Sequence, residues 1–180
     1  MTTRRRIALA AVATLLLLGY ALPERAHIPV ERATARDWNP RSFWYEPWGK
    51  SGVHKGIDIF APQGRPVVSA VPGLVVYQGR LGIGGKVVAV LGPKWRVHYY
   101  AHLADGPASP WLLGGGGQLG MVGTTGNAAG KPPHLHYAVV SLVPLPWRWS
   151  GATQGWKRMF FIDPGSVLGA STGSQAAPPR

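Results

Sequence analysis

The chain contains no cysteine. That excludes a disulfide framework, a thiolate metal ligand, a cysteine nucleophile and a lipid-modified cysteine behind an export signal. Stability must come from packing, and a cysteine-free composition fits an oxidising compartment outside the cytoplasm. Charge is scarce too: 14% of the 180 residues are charged, and 7 acidic residues face 19 Lys and Arg. Long segments of 3.6-residue periodicity are missing, and 25 Gly and 17 Pro would break them. This composition describes a turn-rich, strand-dominated domain. There is no internal repeat. The glycine-rich stretch from Gly114 to Asn127 is not followed by the helix and Lys-Ser/Thr that a phosphate-binding loop requires, so it reads as turns.

What is present begins with Arg4, Arg5 and Arg6 ahead of an apolar run from Ile7 to Leu22, closed by Pro23, Glu24 and Arg25. At 16 residues the run is short of the roughly 20 needed to cross a bilayer and long for a signal-peptide core, so residues 1–22 are expected to be a signal peptide or a membrane anchor. Residues 23–41 read as a spacer, 42–167 as one domain large enough for a real core, and 168–180 as a disordered tail that is small, polar and proline-rich. The formal net charge is +12, and it remains +9 without residues 1–21, which hold three arginines and no acid. Such a field draws the domain to an anionic polymer or surface. Behind an export segment that excludes nucleic acid in favour of acidic lipid or a negatively charged cell wall.

Six apolar segments, GIDIF, RPVVSA, GLVVYQG, GKVVAVLG, RVHYYAHL and HLHYAVVSLV, are bounded by turn residues and predict antiparallel sheet built from hairpins. The aromatic cluster Phe43, Trp44, Tyr45 and Trp48 reads as a core edge or a substrate-stacking rim. The loop carrying Trp147, Trp149 and Trp156 is long enough to be a groove wall or lid, and is expected to line the substrate groove.

The histidines carry the chemistry. His134 and His136 stand either side of Leu135 on a strand, so both imidazoles face the same way. His54 and Asp58 form H-x-x-x-D at the first strand, where Asp58 points away from Ile57 and Ile59. His98 and His102 lie on or beside the RVHYYAHL strand, where regular alternation gives them one face with Tyr100. Two imidazoles and one carboxylate make a three-ligand zinc site with an open fourth position. His54, Asp58 and one of the H-x-H pair supply that set, and the remaining histidines are free to move protons.

These motifs, with Gly123-Thr124-Thr125-Gly126-Asn127, are ordered along the chain as in the lysostaphin/LytM-type zinc metallopeptidases, the M23 peptidases, which the sequence resembles from about Trp44 to Pro164. The resemblance implies an antiparallel β-sheet domain with groove-flanking loops. It implies Zn2+ held by His54, Asp58 and His136, with His102 and His134 as the catalytic pair and Tyr45 as an oxyanion-stabilising candidate upstream. His98 has no family role. The implied activity is endopeptidase cleavage of peptide crosslinks or stems of peptidoglycan by a monomeric, exported protein. The expected location is periplasmic or envelope-bound, with membrane association through residues 7–22. The alternative is a non-catalytic LytM-like module that binds wall or activates a wall amidase; such modules typically lack metal ligands.

Overall fold

The structure, a computed structural model, describes residues 2–172 of the chain. A helix, α1 (Thr3–Ala21), precedes an irregular stretch. The strands that follow are β1 (Ile57–Phe60), β2 (Pro66–Val68), β3 (Gly73–Arg80), β4 (Lys86–Gly92), β5 (Arg96–Leu103), β6 (Leu112–Leu113), β7 (Gln118–Met121), β8 (His134–Ser141) and β9 (Phe161–Ile162); a second helix, α2 (Pro164–Thr172), follows them. The main sheet runs β1-β8-β5-β4-β3-β6, and β9 pairs with β8 beside β1; β2 and β7 form a separate ribbon. Every pairing is antiparallel.

The six expected strands are β1 to β5 and β8. The turn-rich stretch also contains β7, and β6 and β9 are further additions. Strands of two to four residues are too short to show a period. Tertiary packing specifies them instead: Leu119 of β7 and neighbouring Val122 are buried in the core.

The period of two on β8 divides the protein into a groove face and a core face. Leu135, Tyr137 and Val139 pack with Ile57, Ile59 and Tyr100 in the core, each large side chain contributing about 1.5–3 kcal/mol by leaving water. The buried phenols are satisfied: the Tyr100 hydroxyl accepts from the Ala70 N–H at 2.8 Å, and Tyr137 Oη lies 2.6 Å from His98 Nδ1.

Residues 23–41 do not form a free spacer. Ala26, Val30 and Trp38 are buried in the core cluster, and His27 N–H donates to Ala70 O, Val68 N–H to Pro29 O and Glu31 N–H to Pro66 O. Isolated apolar residues between charges carry no periodic signal, which is why the segment reads as a linker. The boundary at 168 also shifts, because Leu168 is buried and α2 runs on to Thr172; residues 173–180 of the expected tail lie outside the described residues. Helix α1 has no buried residue. Among the described residues no helix is long and apolar enough to cross a membrane, so the anchoring expected of residues 7–22 finds no support.

Candidate active site

β1 and β8 set the centre by register. Asp58 stands directly opposite His136, and Phe60 opposite His134; His136 is flanked on its other side by Ala101 of β5. His54 reaches the same point from the segment before β1, held by Trp44 N–H to His54 O and His54 N–H to Tyr45 O. Between them, Gly56 lets the chain pass under β8. A Cβ there would collide with the Tyr137 carbonyl oxygen and stand 2.9 Å from Cε1 of His136.

His54 Nε2, Asp58 Oδ1 and His136 Nδ1 form a triangle with sides of 3.1, 2.8 and 3.1 Å. Tetrahedral zinc with ligands about 2.0–2.1 Å away has edges of about 3.3 Å, so the triangle is close to the size of one tetrahedral face. Proton accounting points the same way. His54 Nδ1–H donates to Ser42 O at 2.9 Å, which leaves Nε2 with a lone pair facing a carboxylate oxygen and a second imidazole nitrogen. A proton on His136 Nδ1 bridges only part of this set, whereas a cation satisfies all three. Burial works to raise the Asp58 pKa, but hydrogen bonds and charge from His136 and His54 outweigh it and hold the carboxyl far below its usual range. Burial pushes the His136 imidazole pKa down, against the pull of Asp58.

His102 and His134 stand beside this triangle with their rings edge to face, 5.0 Å apart. Each is fixed in one tautomer by a backbone carbonyl. His102 Nδ1–H donates to Thr125 O at 2.9 Å, and His134 Nδ1–H to Pro132 O at 2.8 Å, so both keep Nε2 as a proton acceptor. His134 Nε2 is 3.9 Å from Asp58 Oδ2. The His102 pKa is pushed down to about 4, first by burial and then by His136 and His134, which keeps the ring neutral at neutral pH with its Nε2 lone pair free.

His98 and His102 do not share a face. His98 and Tyr100 point into the core, whereas Val97, Tyr99 and Ala101 line the groove. Alternation would put His102 with His98, but His102 adopts φ +63°, leaves the strand geometry and turns its ring to the groove. A positive φ in a residue other than glycine is uncommon and concentrates at functional sites.

The centre opens into a groove of about 710 Å³ whose lining includes Val97, Tyr99, Ala138, Val140 and Phe161 together with Asn127 and Lys131. Trp48 stacks on His54 with centroids 4.1 Å apart, so the aromatic cluster supplies both a core edge, in buried Trp44, and a groove wall. Tyr45 packs edge to face on Trp48, is 55% exposed and is not among the groove-lining residues. Tyr99 is the tyrosine in the groove; burial raises its pKa. Its position follows from the period of β5, a signal the sequence does carry. The carbonyls of Ser42, Thr125 and Pro132, which fix the imidazoles, carry none. Trp147, Trp149 and Trp156 stand on the surface at 77%, 63% and 55% exposure, outside the groove lining.

The sequence profile of peptidase family M23 matches residues 52–143. The chain belongs to this family. M23 members are zinc metallopeptidases, and the His54, Asp58 and His136 group is a set able to hold a metal ion. The L-Ala–D-Glu endopeptidase of Bacillus subtilis is 37% identical over 113 residues, 57% of this chain and 35% of that protein. The DD-carboxypeptidase/endopeptidase Mpg of Neisseria meningitidis is 39% identical over 85 residues, 47% of this chain and 19% of that protein. The chain thus spans about a third or less of the length of these relatives. In fold it is similar to the catalytic domain of lysostaphin from Staphylococcus simulans, with a TM-score of 0.58, 22% identity and coverage of 77% of this chain and 99% of that domain.

Proposed function

We propose that the chain is a zinc-dependent endopeptidase of the cell envelope that hydrolyses peptide crosslinks or stem peptides of peptidoglycan. The observation that carries the reading is the triangle of His54 Nε2, Asp58 Oδ1 and His136 Nδ1 at the floor of an open groove, with two further imidazoles of fixed tautomer beside it. Support for the substrate comes from the relatives' endopeptidase activities and from a net charge of +12, which suits an anionic wall polymer. The arginine-led apolar segment supports export.

His54, Asp58 and His136 would hold the zinc, His54 oriented by the Ser42 carbonyl. Bound there, zinc supplies a nucleophile at neutral pH and Lewis acidity toward a carbonyl. The chain's own part is proton movement and positioning. Nε2 of one of His102 and His134 takes the proton of the attacking water and passes it to the leaving amine; the other, as an imidazolium carrying a proton on Nε2 as well as Nδ1, hydrogen-bonds the developing oxyanion. Their Nδ1–H bonds to Thr125 O and Pro132 O keep both nitrogens aimed without reorganisation. The apolar wall of Val97, Ala138 and Val140 accommodates short, uncharged side chains of an extended peptide and excludes water from it.

Digestion of purified sacculi, with mass spectrometry of the fragments, tests the reading. New amine and carboxyl ends at a peptide bond, abolished by chelation and restored by zinc, are expected. Intact sacculi from a zinc-loaded protein would overturn it, and stimulation of an added amidase by that inactive protein would favour a binding module instead.

A further inference from the structure

Between Asp105 and Asp163 the chain has no acidic residue. Within that stretch, Trp147, Trp149 and Trp156 present 77%, 63% and 55% of their surface to solvent, with Leu142 and Val143 also exposed. Arg148, Lys157 and Arg158 are interleaved with them, and the Lys157 ammonium sits 5.5 Å from the Trp156 ring centroid. Among the described residues these three indole N–H groups have no protein acceptor. This combination, indoles that are apolar on the face and polar at the edge beside cations and aliphatic side chains, is suited to the boundary between lipid headgroups and acyl chains.

The patch is also joined to α1. The Trp95 indole donates to Leu16 O at 2.9 Å, fitted against Gly19, where a Cβ would stand 2.5 Å from the ring. The Trp95 carbonyl accepts from Leu142 N–H at 2.9 Å, and Leu142 leads directly into the tryptophan loop. Helix α1, apolar after Arg6, is exposed at every residue except Gly19, where Trp95 packs. We propose that the loop from Leu142 to Arg158, continuous with the α1 contact, is a docking surface for an anionic phospholipid bilayer, seating the domain on the membrane face rather than across it. A glycan strand is the other partner that exposed indoles could stack on. Sugar hydroxyls ask for carboxylate or amide neighbours, however, and the loop itself carries no acid, the Asp163 carboxylate that acts on Arg148 takes the Gly165 N–H, and the side chain of Gln154 is engaged by Ser51 O and Lys157.

The test uses the full chain with vesicles of phosphatidylcholine, alone or mixed with phosphatidylglycerol, and the variant Trp147→Phe/Trp149→Phe/Trp156→Phe. Brominated lipid is expected to quench the wild type and to lose most of that quenching in the variant, while anionic vesicles shield the three tryptophans from acrylamide. Arg148→Gln/Lys157→Gln/Arg158→Gln is expected to lower the preference for anionic over neutral vesicles by about fivefold for each cation that reaches the surface, from roughly 1 kcal/mol per cation. Co-flotation through α1 with all three tryptophans still open to acrylamide overturns the proposal. So does shielding by peptide-free glycan strands but not by vesicles. Circular dichroism and hydrolysis of a soluble peptide check that the variants are folded.

Discussion

Gly56→Ala is a test of the site's geometry by a single methyl group. The new Cβ would meet the Tyr137 carbonyl oxygen, which belongs to the β8 backbone and cannot step aside, and would stand 2.9 and 3.0 Å from Cε1 and Nε2 of His136, where ordinary contact begins at 3.4 Å. The ring or the strand must therefore retreat by at least about 0.5 Å. Overpacking of this kind costs roughly 1–3 kcal/mol, a fall of roughly 2–12 °C in Tm for a chain of this size. The retreat exceeds the roughly 0.2 Å tolerance of a metal–ligand distance, and zinc affinity is expected to weaken by about 10- to 100-fold, the range typical of a disturbed supporting shell. Zinc competition against a chromogenic chelator and thermal melts in its presence and absence measure both effects. Gly151→Ala serves as the control, since nothing lies within 4 Å of the added atom. A Gly56→Ala protein with wild-type Tm and wild-type zinc affinity would refute the reasoning.

Chelation of the zinc-loaded protein is expected to lower Tm, by about 2.7 kcal/mol of lost stability if free zinc stood at 100 times its Kd; calorimetry that finds no change would contradict a resident metal. Tyr100→Phe strands the buried Ala70 N–H and should cost about 1–3 kcal/mol in denaturant unfolding, with metal content unchanged. His98→Ala should likewise lower stability and leave zinc and turnover intact, because His98 faces the core against Tyr137; lost zinc in this variant would place it wrongly. Trp147→Ala/Trp149→Ala should leave hydrolysis of a small soluble peptide unchanged, since neither ring lines the groove. A drop of tenfold or more in kcat/KM there would return the loop to the active site.

Much of the sheet was legible because β3, β4, β5 and β8 are long enough to stand out between turn residues, and the H-x-H motif reads directly as two imidazoles on one face. The H-x-x-x-D spacing places His54 and Asp58 together only because Gly56 permits close passage under β8, a demand visible in the spacing once β8 is known to lie there. The misreadings share a cause. His102 leaves its strand alternation by a single positive φ, which no side-chain pattern announces. Residues 23–41 look like a linker because Ala26, Val30 and Trp38 are scattered among charges, yet each finds the core. The tryptophan loop is expected at the groove because length and aromaticity suggest a wall; its three rings stand outside the groove lining, and residue type alone does not separate an aromatic wall from an aromatic surface. The backbone carbonyls that set the histidine tautomers belong to Ser42, Thr125 and Pro132, and a carbonyl leaves no trace in residue identity.

In the proposed mechanism the H-x-H pair is divided, with His136 completing the metal set and His134 left to move protons. Zinc stoichiometry of the purified wild type, His136→Ala and His134→Ala proteins measures it most directly. About one zinc per chain is predicted for the wild type and for His134→Ala, and almost none for His136→Ala. Zinc retained by His136→Ala, or lost equally from both variants, would contradict it.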